Sequence, residues 1–155
     1  MPFSTIATPE AKPVANYKMA TRMEGGRLLY ISGQVAWDAA GNIVGKGDVR
    51  AQARQVFENL RGVLRAAGGD LSSLMKITTY ITKLEDFPAV AQARSEVFQG
   101  ELPASTLIVV KGLFHPDFLL EIEGVAAIYA RAAREGRPRA RRRPRRAARR
   151  ARTRR

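Results

Sequence analysis

The sequence predicts an α+β domain in which two helices cover one face of a mixed sheet. Three observations carry that expectation. Apolar residues recur at helical spacing behind Asp48 and again after Glu85, and short β-branched or alternating runs flank both stretches as strands do. The succession strand–strand–helix–strand–helix–strand–strand contains no internal repeat, so it describes a single layered unit. Two helices are too few to cover both faces of its sheet.

Taken in order, residues 1–16 are polar and carry Pro2, Pro9 and Pro13, with a short strand expected at 3–7. Residues 27–34 (RLLYISGQ) form an apolar, partly β-branched run behind the turn signal Gly25-Gly26, which predicts a hairpin with residues 17–23. Gly41-Asn42 marks a further turn leading to Ile43-Val44. Asp48 stands where a helix N-cap is needed, because its carboxylate can accept from the first free backbone N–H groups. Behind it Val49, Ala53, Val56, Phe57, Leu60, Val63, Leu64 and Ala67 recur at helical spacing, and Gly68-Gly69 supplies the stop. Residues 75–82 (MKITTYIT) alternate, with Met75, Ile77, Thr79 and Ile81 expected on one face. A second helix is expected over 85–98, with Pro88 in its first turn and Phe87, Val90, Ala91, Val97 and Phe98 as its buried stripe. Residues 104–111 and 118–129 read as the last two strands. The face of the sheet left bare by the helices would carry Thr78, Tyr80, Glu121, Glu123 and Tyr129 among Leu119 and Val125. A half-apolar face without a helix over it predicts burial against another subunit.

At 155 residues the chain suits one domain with its own core. The absence of cysteine excludes thiol nucleophiles, Cys-ligated zinc and iron–sulfur chemistry. No apolar run approaches the ~20 residues needed to span a bilayer. The first residues lack the basic start and apolar stretch of a secretory signal, so a soluble, cytoplasmic protein with no membrane contact is expected. The formal net charge of +13 is unevenly spread. Residues 131–155 hold fourteen arginines and one glutamate, leaving thirteen basic and thirteen acidic residues in 1–130. The chain therefore divides into a domain at 1–130 and an Arg-rich tail at 131–155, which is expected to be disordered. Contact with nucleic acid is expected only through that tail, by salt-sensitive neutralisation of phosphates. The tail consists almost entirely of Arg, Ala, Pro and Gly, so it reads equally as readthrough or frameshifted sequence from a GC-rich genome.

Glu121 and Glu123 lie two apart on a strand, which puts both carboxylates on one face roughly 6–7 Å apart. The hydroxyls of Ser105 and Thr106 follow Leu102-Pro103, Ser32-Gly33 ends the first strong strand, and Tyr17 stands just before it. A glycine in a strand permits close backbone approach. Together these residues would form a small polar pocket whose carboxylate orients or deprotonates a water. The same Glu pair also reads as a solvated face, and Ser-Gly as a bulge. No nucleophile elbow, phosphate loop or metal-ligand spacing occurs. His115, the single histidine, sits in LFHPDF with no second His or Cys to share a metal, and a loop histidine without catalytic role is its plainer reading.

TIATPEA at 5–11, YISGQVAWDAAGNIVG at 30–45, AQARQVFENLRGVLRAAGGDLSSLMKITTYIT at 51–82, LPAST at 102–106 and LLEIEGVAAI at 119–128 form an ordered set. Through that set the chain resembles the Rid (YjgF/RidA) family of small proteins that process reactive imines, over nearly all of residues 3–130. The resemblance implies a chorismate-mutase-like (YjgF-like) fold and a homotrimer with three pockets at its subunit interfaces. It implies imine and enamine acids as substrates, hydrolysed to 2-oxo acids and ammonia without a cofactor. Tyr17 matches the family's pocket tyrosine, Ser32 with Gly33 its serine–glycine, and Glu121 the glutamate that positions the attacking water. Phe87 and the helix after it also correspond.

Two departures stand out. Deaminating members carry, just after the Pro-Ala of LPAST, an arginine that binds the substrate carboxylate, and here that position is Ser105. The pocket asparagine of the second helix is replaced by Ala91. A serine offers a neutral hydroxyl where a planar charged fork is required. The expected ligand is therefore either not a small imino acid or is held by another anchor, with Arg22, Arg94 and Lys111 as candidates. The leading expectation is an imine or enamine hydrolase using Glu121, with Ser105 and Thr106 at the substrate. The alternatives are a trimer that binds a small ligand without turnover and an RNA-associated protein acting through its tail.

Overall fold

The computed structural model describes residues 3–9, 17–98 and 100–129, and the tail expected at 131–155 lies outside them. Helix α1 (Val49–Ala66) starts where the N-cap signal stands, with the Asp48 carboxylate accepting from the backbone N–H of Arg50 and Ala51 at 3.0 Å each. It stops at Gly68, whose φ of +86° is a left-handed value that costs glycine little. Helix α2 (Phe87–Val97) follows a single 3-10 turn at Leu84–Asp86, so the helix begins two residues later than expected. Its buried residues are Val90 and Ala93, with Phe98 just beyond its end, while Ala91 is half-buried and Phe87 and Val97 pack at the edge of the core. The expected stripe thus omitted Ala93 and placed Ala91 too deep. A helix packed on only one neighbouring helix and a sheet buries a narrower face than apolar content alone suggests.

The strands are β1 (Phe3–Ile6), β2 (Ala20–Met23), β3 (Arg27–Gln34), β4 (Leu74–Ile81), β5 (Ala104–Val109) and β6 (Leu120–Ile128). Four of them form a mixed sheet in the order β3-β6-β4-β5, with β4 and β5 parallel and the other pairs antiparallel. The parallel pair is joined through α2, and both helices lie on the same face. Between helices and sheet, Phe57, Leu60 and Leu64 of α1 meet Val90 and Ala93 of α2 and Leu74, Ile77, Ile81, Leu120, Ile122 and Ala126 of the strands. Each large aliphatic or aromatic side chain buried there contributes about 1.5–3 kcal/mol. The fold class is the one expected.

Two local expectations fail. Residues 17–23 do not pair with β3. Instead β2 pairs with β1 in a separate ribbon, Phe3 opposite Met23 and Ile6 opposite Ala20. Thr21 Oγ1 donates to the Met75 carbonyl at 2.9 Å and Lys18 bridges Ala104, which fastens this segment beside β4 and β5. Strand β3 pairs with β6 instead, a nine-residue strand that offers a longer partner than the four residues of β2. The Gly25-Gly26 turn therefore carries the chain between sheets. Met75 is the second correction. An irregularity between Leu74 and Lys76 shifts the phase of β4, so Met75 is buried with Phe3 and Ala127 rather than with Ile77, Thr79 and Ile81.

Gln52 fixes the entry to β6. Fully buried on α1, it donates through Nε2 to the carbonyls of Asp117 (2.7 Å) and Gly45 (3.2 Å) and accepts from the Leu119 backbone N–H (2.9 Å).

Candidate functional site

The pairing of β3 with β6 breaks between Ile31 and Gln34, which frees Ser32 and Gly33 from the ladder. Into that break comes the side chain of Glu121. A Cβ on Gly33 would stand 1.6 Å from Glu121 Oε1 and 2.6 Å from its Cδ, so only the missing side chain of Gly33 lets the carboxyl group lie against the strand. Glu121 and Glu123 share the face away from the helices, as expected, opposite Tyr80 and Thr78 of β4. The Tyr80 hydroxyl donates to Glu123 Oε1 at 3.2 Å, and its burial together with that bond pushes the phenol's pKa up.

On the same face a groove of about 390 Å³ is lined by Tyr30, Ser32, Lys76, Thr78, Glu123 and Val125. Lys76 donates from Nζ to Thr106 Oγ1 at 2.8 Å and to the Ile77 carbonyl at 2.7 Å. Burial lowers its pKa, with the Glu123 charge opposing the shift. Ser32 and Thr106 thus meet the same face of the sheet, both exposed and reaching it from different strands.

Ser105 points the other way. It stands opposite Ile77, a core residue, and therefore faces the helices. There Arg94 of α2 donates from Nη1 to Ser105 Oγ at 3.0 Å. Arg94 is half-buried, its Nε is buried without a partner, and no carboxylate pairs with it among the described residues. Burial pulls the pKa of its guanidinium down. Ala91, one turn earlier on the same helix face, leaves the space beside it small-sided. Tyr17 precedes Lys18, whose N–H donates to the Pro103 carbonyl at 3.3 Å, so the tyrosine's segment runs beside the start of β5. Phe87 is half-buried at the first residue of α2, against the core.

The expected site residues therefore fall into separate groups within one chain. Gly33 and Glu121 lie at the β3 side of the sheet, whereas Ser105 and Arg94 lie at the β5 edge on the opposite face, with the backbone of the Tyr17 segment running alongside that edge. Three strand spacings separate β3 from β5, about 14 Å. Of the other anchor candidates, Arg22 pairs with the exposed Glu24, which also accepts from Ser4, and Lys111 is exposed beyond the end of β5. His115 accepts at Nδ1 from the Asp117 N–H at 3.2 Å and packs edge-on to Phe118, which makes it a loop brace. Among the described residues no group of three or more His, Asp or Glu converges as metal ligands.

Beside Gly33 lies a wider cleft of about 600 Å³, lined by Trp37, Asn59, Gly62, Val63 and Phe114 among others. Trp37 and Phe114 meet edge-on at 5.3 Å, and Asn59 holds the backbone of Val35 and Trp37 at 2.9 Å each. Neither this cleft nor Lys76 is singled out by the sequence patterns. Lys76 carried a signal all the same, as a charge inside an alternating strand.

Residues 7–128 match the family model described as Endoribonuclease L-PSP. The chain is 36% identical over 115 residues to a RutC family protein of Pyrococcus horikoshii, covering 74% of this chain and 89% of that one. It is 32% identical over 128 residues to a 2-iminobutanoate/2-iminopropanoate deaminase of Dermatophagoides farinae, covering 82% and 98%. Among solved structures it is similar to a Rid-family protein of unknown function from Yersinia pestis, with a TM-score of 0.77 and 32% identity over 83% of this chain and all of that one.

Proposed function

The chain belongs to the Rid (YjgF/RidA) family, and on that footing we propose that it hydrolyses a small reactive imine or enamine with Glu121 as the general base. The observation that carries this reading is the Glu121 carboxyl group resting in the space that Gly33 leaves, at a break in strand pairing where a water and a planar C=N group can approach. In the proposed step Glu121 takes a proton from that water as its oxygen bonds to the imine carbon. The nitrogen takes that proton to complete the carbinolamine; Glu121 then removes the proton of the new hydroxyl and returns it to nitrogen as the C–N bond breaks, so that ammonia leaves behind a carbonyl. An enamine first takes a proton at carbon to become the imine. The reaction is a hydrolysis and consumes only water.

The same reading makes the working unit a homotrimer. Leu28, Tyr30 and Ile108 are exposed, Tyr30 to 75%, on the sheet face that no helix covers. A threefold ring would bury such a face and bring the Glu121 side of one subunit to the Arg94 side of the next. The test is ammonia release from freshly generated 2-iminobutanoate. The native chain is expected to accelerate it, and Glu121→Gln to lose about a hundredfold of that acceleration. Equal rates in both proteins would remove Glu121 from the chemistry. Ligand-induced thermal stabilisation without any ammonia release would make the protein a binder instead.

A further inference from the structure

We propose that Arg94 is the anion-binding residue of this site, braced by Ser105, and that the ligand it selects carries a carboxylate. The inference deepens the functional reading above and rests on it. Its starting point is a charge out of balance. The arginines 22, 50, 54 and 61 each pair with a glutamate, whereas Arg94, half-buried, has only the neutral hydroxyl of Ser105; its Nε is buried without a partner, as is that of Arg50, but Arg50 has Glu96 to balance its charge. A partly desolvated cation in that state is costly unless an anion completes it.

The surroundings fit an incoming anion. One N–H of Nη1 is committed to Ser105, which fixes the plane of the guanidinium and leaves other N–H donors of its fork uncommitted. A planar fork held in one orientation matches the two oxygens of a carboxylate. The side chains flanking it are small: Ser105 on the strand, and Ala91 one helical turn before Arg94. The segment of Tyr17 passes the same end of β5. Ser105 is thus a brace for a charge that arrives from the helix. A serine at this strand position is compatible with an acidic ligand.

Calorimetric titration with 2-oxobutanoate, the acid that hydrolysis of 2-iminobutanoate leaves, and with its uncharged amide tests the inference. The native chain should bind the acid, Arg94→Gln at least about tenfold more weakly, and the amide should bind both proteins equally. Arg94→Lys, which keeps the charge and loses the fork, should fall between the two and stands as the variant of record if Arg94→Gln does not fold. Ser105→Ala should weaken the acid by a smaller factor and leave the amide unchanged. Acid affinity unaltered in Arg94→Gln or Arg94→Lys, or an equal loss for acid and amide, would overturn the proposal. The hydrolytic reading fails separately, if the native chain binds the acid through Arg94 yet releases no ammonia.

Discussion

Gly33 and Glu121 are the pair on which the proposed chemistry turns, and they are also the easiest pair to break. Any side chain at position 33 must displace the carboxyl group, because a Cβ there would overlap Oε1. Gly33→Ala is therefore expected to abolish most imine hydrolysis and to destabilise the fold, and the destabilisation should largely vanish in the Glu121→Ala background. A double-mutant cycle of unfolding free energies checks this, with additive losses counting against the contact. Both residue types were legible in the sequence as a candidate pocket, but their contact depends on a break in the β3–β6 ladder that no local pattern announces. The reverse happened at Ser105. From the sequence, a serine in place of an arginine removes the charge. In the fold, Arg94 returns a guanidinium to the same strand position from a helix eleven residues away in sequence.

At the level of elements, the secure predictions were those with strong local causes. Helix α1 has a capping aspartate, a long apolar stripe and a glycine stop, and each acts as expected. The β2–β3 hairpin failed because strand pairing is decided by competition among partners, and β6 is the longer one. Gln52 shows a signal that was present and unread: a polar residue on the apolar stripe of α1, three after Val49 and four before Val56. Its amide holds Gly45, Asp117 and Leu119 together behind the strand that carries Glu121. Gln52→Leu keeps most of the volume but strands these backbone groups at a cost of about 1–3 kcal/mol for each left unsatisfied. Denaturant unfolding at fixed protein concentration should show that loss, and an unchanged midpoint would mean the clamp is not needed.

For the whole molecule, the net charge of +13 first suggests a nucleic-acid protein, but it resides in residues 131–155 and leaves a neutral domain. That domain presents one helix-covered face and one bare face with exposed Leu28, Tyr30 and Ile108. Its two sets of site residues, Gly33 with Glu121 and Ser105 with Arg94, lie on opposite faces, two to three strands apart. A single chain does not bring them together, which is why self-association belongs to the proposed chemistry. The central claim, that Glu121 of one subunit works with Arg94 of the next, is tested most directly by mixing two impaired variants and assaying them at substrate concentrations below saturation. Glu121→Gln and Arg94→Gln are refolded together in equal amounts and assayed for ammonia release from 2-iminobutanoate. Random assembly in a closed ring gives about one site in four with both native groups, and so about a quarter of native activity. A mixture no more active than either variant alone would contradict the claim.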